Sequence, residues 1–291
     1  MYKLGNFTII LSNYNCDRNC PFCIAKNNKK FNGEDENFET LNEILVLLRK
    51  NNIKFERFVL SGNGEPSLYD MVELEKYAKI IKSNSDLFDT LRVHTSGNIF
   101  MVPEKFRLFN ELVPNVEFDI LRLAIDTNRD MAVLKYKSDY TNTDEFKKAK
   151  KIKFDIGLTK ILETDTLLGV LDDLLFNNTN IDLIRFKNLM SGENGESIQA
   201  KWVRDNRMNK ETFLNLSKNI MNYCKCEGFD NLRAKNGTKI VFENSGNYPK
   251  DIVYNNGVMK DYSEKIIDIS ALKQMSAVVD NTKKSDYNYT R

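Results

Sequence analysis

The chain has little of what most often declares a chemistry: one histidine, one tryptophan and five cysteines in 291 residues. The lone histidine, His94, cannot supply the histidine pair that a mixed cysteine and histidine zinc site uses. No apolar run approaches the roughly 18 residues of a membrane helix, and the N-terminus has no apolar stretch ahead of a small-residue cleavage site. A mean hydropathy of −0.48 with 29% charged residues agrees with that absence. Charge of one sign is also missing. With 43 basic against 41 acidic residues the net charge is +2, so no overall field recruits nucleic acid. No solenoid-type repeat is present. Cysteines without a secretion signal fit a reducing compartment, where thiolates serve metals, and the expected location is the cytoplasm.

Three of the five cysteines are crowded into Cys16-Asp-Arg-Asn-Cys20-Pro-Phe-Cys23, just after the apolar run Phe7-Thr-Ile-Ile-Leu-Ser12. Soft thiolates select iron–sulfur clusters, zinc or copper(I), and a four-iron cluster ordinarily takes four of them. A structural zinc site also wants a fourth ligand, but Cys224 and Cys226 lie about two hundred residues away. Three thiolates on one tight loop can hold three irons of a cubane and leave the fourth open for a small molecule.

A second signal is Val59-Leu-Ser-Gly62-Asn-Gly64-Glu65-Pro66, a strand pattern that runs into two glycines, where backbone must approach something closely. A third is Ile181-Asp-Leu-Ile-Arg-Phe-Lys-Asn-Leu-Met190, followed by Trp202-Val-Arg-Asp-Asn-Arg207. Together these resemble the radical S-adenosylmethionine (SAM) superfamily, and the third resembles its small molybdenum-cofactor-biosynthesis-A-like branch. The resemblance implies a 4Fe-4S cluster on Cys16, Cys20 and Cys23, with SAM on the open iron. In the family, SAM is reductively cleaved to a 5'-deoxyadenosyl radical that abstracts hydrogen from substrate. It further implies that Gly62, Gly64 and Glu65 meet the amino group of SAM and that Phe22 lies against the adenine. Ser96, Asn98 and Asp126 become candidate ligands for the ribose or carboxylate, although such residues are also ordinary turn formers.

Strand and amphipathic patterns alternate along the chain, as in βα units around a parallel sheet. Strands are expected at Asn6 to Leu11, Arg57 to Ser61, Thr90 to Thr95, Ile120 to Ile125, Ile152 to Leu158 and Asp182 to Lys187. Helices are expected from Thr40, where Thr40-Leu-Asn-Glu43 reads as a capping box, from Met71, and over Asp165 to Phe176. The fold class is therefore α/β, a partial (β/α)6 TIM-like barrel with a small C-terminal extension. In such barrels chemistry gathers at the carboxyl ends of strands, where the cysteine loop, Glu65, Ser96, Asn98 and Asp126 all fall. The division is a barrel over 1–230, a β-rich extension or cap over 231–279, and a flexible tail over 280–291.

Other residues carry weaker expectations. Lys147, Lys148, Lys150, Lys151 and Lys153 read as a solvated helix face. His94 reads as a hydrogen-bonded structural residue. Arg185 and Lys187 alternate with apolar residues and would hold an anionic group of substrate or cofactor if they point inward, with Lys160 and Glu163 within reach. Cys224 and Cys226, two apart on a helical pattern, point to different faces and are not expected to share a metal. Asn236-Gly237 and Asn256-Gly257 are hairpin signals. The sequence names no catalytic acid or base and no substrate. A small molecule or nucleotide fits the short chain somewhat better than a peptide, with an electron donor such as flavodoxin or ferredoxin as partner. A peptide-modifying enzyme, a glycyl-radical activase and a non-enzymatic iron–sulfur or zinc-binding regulator are the alternatives.

Overall fold

The computed structural model describes residues 2–11, 16, 20–21, 23, 38–62, 64–124, 140–160, 168, 171, 180–189, 197–224, 234, 237–243, 252–255, 258–260, 266–268 and 270–273. Chain order runs β1 (Tyr2–Leu11), α1 (Phe38–Lys50), β2 (Ile53–Gly62), α2 (Met71–Ser83), β3 (Phe88–Thr95), α3 (Pro103–Asn110), β4 (Val116–Ala124), α4 (Asp144–Lys148), β5 (Ile152–Leu158) and β6 (Ile181–Asn188). After these come α5 (Ile198–Asn206), α6 (Lys210–Tyr223), β7 (Lys239–Glu243), β8 (Ile252–Asn255) and β9 (Val258–Lys260). All nine strands join one sheet in the order β7-β6-β5-β4-β3-β2-β1-β8-β9. Every neighbour pair is parallel except β8 with β9. This is the expected α/β architecture, a curved parallel sheet with helices on its outer face.

Side-chain alternation decides which face is which. On β3, Leu91, Val93 and Thr95 are buried while Arg92 and His94 are not fully so, and β6 repeats the rhythm with Ile184 and Phe186 against Arg185 and Lys187. The apolar set packs under the helices. There α1 buries Leu41, Leu45 and Leu48 along one stripe, and α2 buries Leu74, Tyr77, Ala78 and Ile81. Asp70 starts α2 by accepting the Val72 N–H at 2.8 Å, and Asn209 starts α6 by accepting that of Thr212 at 2.7 Å. Two aromatic clusters fill this layer. Phe7 meets Phe55 and Phe58 at 5.1 and 5.2 Å, and Phe100 meets Phe118 and Phe146 at 5.3 and 5.1 Å.

The six expected strands are all present, several longer at their amino ends, and α1 starts two residues before Thr40. The helix expected over Asp165 to Phe176 lies outside the described residues, apart from Leu168 and Leu171, both helical. Two expectations are corrected. The lysine-rich segment is not one solvated helix: α4 stops at Lys148, and Lys153 sits on β5 with its side chain buried. Its alternation with Ile152 and Phe154 sends it to the opposite face from those apolar residues, into the barrel. Asn256-Gly257 lies outside the described residues, but β8 and β9 on either side of it do pair antiparallel. Gly237, in contrast, turns at φ 88° into β7, which runs parallel to β6. A turn signal reports only the local reversal, and the later pairing is set by which sheet edge is open. No helix among the described residues is long and apolar enough to cross a membrane.

Candidate active site at the carboxyl rim of the barrel

The carboxyl ends of β1, β2 and β3 are hydrogen-bonded neighbours, with Leu11 beside Gly62 and Thr95 at the end of the adjoining strand. Each delivers one expected element to a common rim. After β1 come Cys16, Cys20 and Cys23, all partly exposed thiols outside any disulfide, with the Cys23 N–H donating to the Cys20 carbonyl at 3.2 Å. Among the described residues no three potential ligands converge as those of a single metal ion would.

After β2, Gly64 leads into Glu65 and a single 3-10 turn over Pro66–Leu68. Glu65 is 2% exposed. Its Oε1 accepts the Thr95 hydroxyl at 2.7 Å and the Ser67 N–H at 3.3 Å, and its Oε2 accepts the Ser96 N–H at 2.5 Å. The carboxylate is thus held by three neutral donors and by no cation among the described residues. A buried charge is costly unless an opposite charge approaches it, and a carboxylate has about four acceptor positions, so one remains for an incoming donor. That is the electrostatic outline of a site for a cationic ligand group.

After β3, Gly97 at φ 99° reverses the chain, a left-handed conformation that a side chain resists. Buried Ile99 and Phe100 then anchor the turn over Asn98–Met101 in the second aromatic cluster. The Ser96 hydroxyl is buried without a hydrogen-bond partner, a second unmet polar group at the rim. From α3, Lys105 clamps the far side of the rim by donating to the Ser67 and Tyr69 carbonyls at 2.7 and 2.6 Å. Tyr69 is buried between these parts, and its phenol is held un-ionised by that burial and by the negative charge of Glu73, Cys16 and Glu65. Phe22, Asp126, Glu163 and Cys226 lie outside the described residues, and Cys224 is the buried cap of α6.

Below the rim, the inner face of β3 to β7 carries an ion ladder that the sequence patterns largely conceal. Arg92 meets Glu117 at 2.7 Å, Lys153 meets Asp119 at 2.8 Å and Asp155 at 3.3 Å, and Arg185 meets Glu243 at 3.2 Å. Asp155 is the hub. Its oxygens accept from Arg185 at 2.8 and 2.6 Å, and its Oδ2 also faces the Lys187 ammonium at 2.5 Å. Burial alone would raise its pKa, but the Arg185 hydrogen bonds and the charges of Lys153, Lys187 and Arg185 outweigh it and hold the carboxyl well below the ordinary range. Burial pushes Lys153 down despite its two carboxylates. His94 lies at the top of the ladder, its Nδ1 3.1 Å from Ser61 Oγ and its Nε2 3.7 Å from Asp119. Burial outweighs the pull of Asp119 and lowers its pKa from 6.5 to about 4, so the imidazole is neutral at physiological pH.

Arg185 and Lys187 therefore do point inward, as one sequence expectation required, but both are engaged by carboxylates of the wall. Lys160 is exposed, and its N–H donates to the Asn206 carbonyl at 2.9 Å. The signal for the ladder was available in the spacing Glu117-x-Asp119, Lys153-x-Asp155 and Arg185-x-Lys187, charged residues two apart between buried apolar ones. Among the described residues the ladder's four cations and four carboxylates cancel, and half-exposed Leu121 interrupts the charged surface on β4.

Comparison with known proteins bears on the family and the fold. Residues 10–171, more than half of the chain, match the family model of the Radical SAM superfamily. No curated protein matches by sequence. Among solved structures, Streptococcus suis SuiB bound to S-adenosylmethionine superposes with a TM-score of 0.54 at 14% identity over 89% of this chain and 60% of SuiB. SuiB bound to the precursor peptide SuiA gives 0.51 at 14% identity over 84% and 49%. At that identity the likeness is one of fold, and this chain spans about half to three-fifths of SuiB's length. With its three thiols, its Gly-x-Gly-Glu-Pro motif and strands β2 to β5 inside the matched segment, the chain belongs to the radical SAM superfamily of enzymes, which work with a 4Fe-4S cluster and SAM.

Proposed function

We propose that this enzyme holds its cluster on Cys16, Cys20 and Cys23, seats SAM across the ends of β1 to β3, and abstracts hydrogen from a substrate lodged against the inner face of the barrel. The observation that supports it most is Glu65, a buried carboxylate with no counter-cation among the described residues, at the position where the ligand's ammonium is expected. When bound, cluster and SAM supply hydrogen-atom abstraction through reductive cleavage of SAM, with the electron from a donor such as flavodoxin or ferredoxin. The chain's own part is to bind and orient. Gly62 and Gly64 let backbone approach the ligand, Glu65 offers its remaining acceptor position to the ammonium, and the unpartnered Ser96 hydroxyl faces a ligand oxygen. Asn98 and, by family resemblance, Asp126 and Phe22 complete the ligand set.

For the substrate, the resemblance of Ile181-to-Met190 to the molybdenum-cofactor branch favours a small molecule or nucleotide. A peptide is the second reading, supported by the fold shared with a peptide-bound SuiB and by the ion ladder of β3 to β7, in which Arg92, Lys153, Arg185 and Lys187 each pair with a carboxylate of the wall. Anaerobic reconstitution with iron and sulfide, reduction, and mass spectrometry for 5'-deoxyadenosine test the reading. About four irons per chain and cleaved SAM are expected, with both lost in Cys20→Ala. A single zinc, or a full cluster in Cys20→Ala, overturns it.

A further inference from the structure

We propose that Thr95, which no motif marks, is a positioning residue for cofactor binding: its hydroxyl orients the Glu65 carboxylate and ties it to the turn that carries Ser96. This role rests on the reading of the rim as the SAM site. Thr95 ends β3 on the outer face, in step with buried Leu91 and Val93, and is 3% exposed. It therefore reaches no substrate in the barrel and acts only through what it touches. Its Oγ1 is 2.7 Å from Glu65 Oε1 and 3.0 Å from the Gly97 N–H. An amide N–H can only donate, so the Thr95 proton must go to Glu65, and the hydroxyl has a single allowed orientation. The Ser96 N–H, one residue on, takes the other carboxylate oxygen.

The result is a closed set of bonds, Glu65 to Thr95 to Gly97 and back through Ser96 to Glu65, that joins the ends of two strands with neutral donors alone. Because no cation among the described residues holds Glu65, its direction depends on these donors to a degree that a salt-bridged carboxylate's would not. The Gly97 N–H closes back onto Thr95, the left-handed Gly97 then carries the chain into the next turn, and Phe100 beneath keeps that turn from drifting. Thr95 thus links the group that awaits the ligand's ammonium with the hydroxyl that awaits a ligand oxygen.

A double-mutant cycle on the full chain with its cluster reconstituted, titrated with SAM itself, tests the role. Thr95→Val keeps shape and loses the donor, and is expected to weaken SAM binding about tenfold with iron content and cluster absorbance unchanged. Thr95→Ser, which keeps the hydroxyl, should stay within about twofold. In a Glu65→Ala background, Thr95→Val should add no further loss, because the group it orients is gone. Equal affinity of Thr95→Val and wild type overturns the role, and so does a full tenfold loss repeated in the Glu65→Ala background. Should Thr95→Val fail to fold, Thr95→Cys, of similar size and a weaker donor, enters the same cycle, and the same two results would overturn the role. A wild-type enzyme that carries its cluster yet binds no SAM overturns the reading of the rim, and this role with it.

Discussion

Glu65 at the end of β2 and Asp155 on β5 are almost equally buried, at 2% and 4% exposure, yet they are stabilised in opposite ways. Asp155 is surrounded by three cations, Lys153, Arg185 and Lys187. Glu65 has three neutral donors and no cation among the described residues. The first arrangement completes itself within the fold and reads as structure. The second is electrostatically incomplete and reads as a place for a ligand. Burial alone does not separate the two, whereas the identity of the partners does.

The contrast is broken most directly by truncation. Asp155→Ala leaves the Lys187 ammonium without its carboxylate and takes one of two carboxylates from Lys153 and from Arg185, and should cost about 3–5 kcal/mol in urea unfolding. Glu65→Ala strands only neutral donors and should cost about 1–3 kcal/mol, most of its effect appearing in SAM binding. Equal losses of stability would show that the two carboxylates do the same work. The pH profile sharpens the same point. Asp155 has a depressed folded pKa, so its contribution is complete above the unfolded carboxylate value near 4 and is lost as pH falls through the folded one.

His94 adds a slope of the same sign in a different window. Its folded pKa of about 4 lies below the ordinary 6.5, so the unfolded chain binds the extra proton first, and stability should fall as pH drops from 6.5 to 4. The loss should be about 2 kcal/mol after allowance for partial exposure, and a His94→Gln variant should lack that part of the slope. A profile unchanged by His94→Gln would place the imidazole in water rather than against Asp119. The smallest effect belongs to the surface. Lys3 and Asp89 form a 2.6 Å pair with both side chains about half exposed, and Lys3→Ala should shift stability by no more than about 0.5 kcal/mol.

The contrast also marks what could be read in advance. The six barrel strands, the two long helices after β1 and β2, and the placing of Cys16, Glu65, Ser96 and Asn98 at strand ends all follow from period and turn chemistry, which are local. The ion ladder was hidden for the opposite reason. Lys153 belongs in sequence to a lysine run that resembles a helix face, and only the register of β4 with β5 sets it opposite Asp119, as that of β5 with β6 sets Arg185 opposite Asp155. Thr95 carries no signal of its own because it sits on the outer face, where a strand threonine is unremarkable until its partner 30 residues earlier is known.

By itself, then, the sequence determined the parallel α/β plan, the three clustered thiols and the glycine-flanked glutamate. Apolar periodicity and short-range spacing act over a few residues and survive without a fold. Only the tertiary structure decided which carboxylate has cations and which does not. Electrostatic partners are set by strand register and by the face a side chain takes, and both are fixed when strands far apart in sequence pair within one sheet.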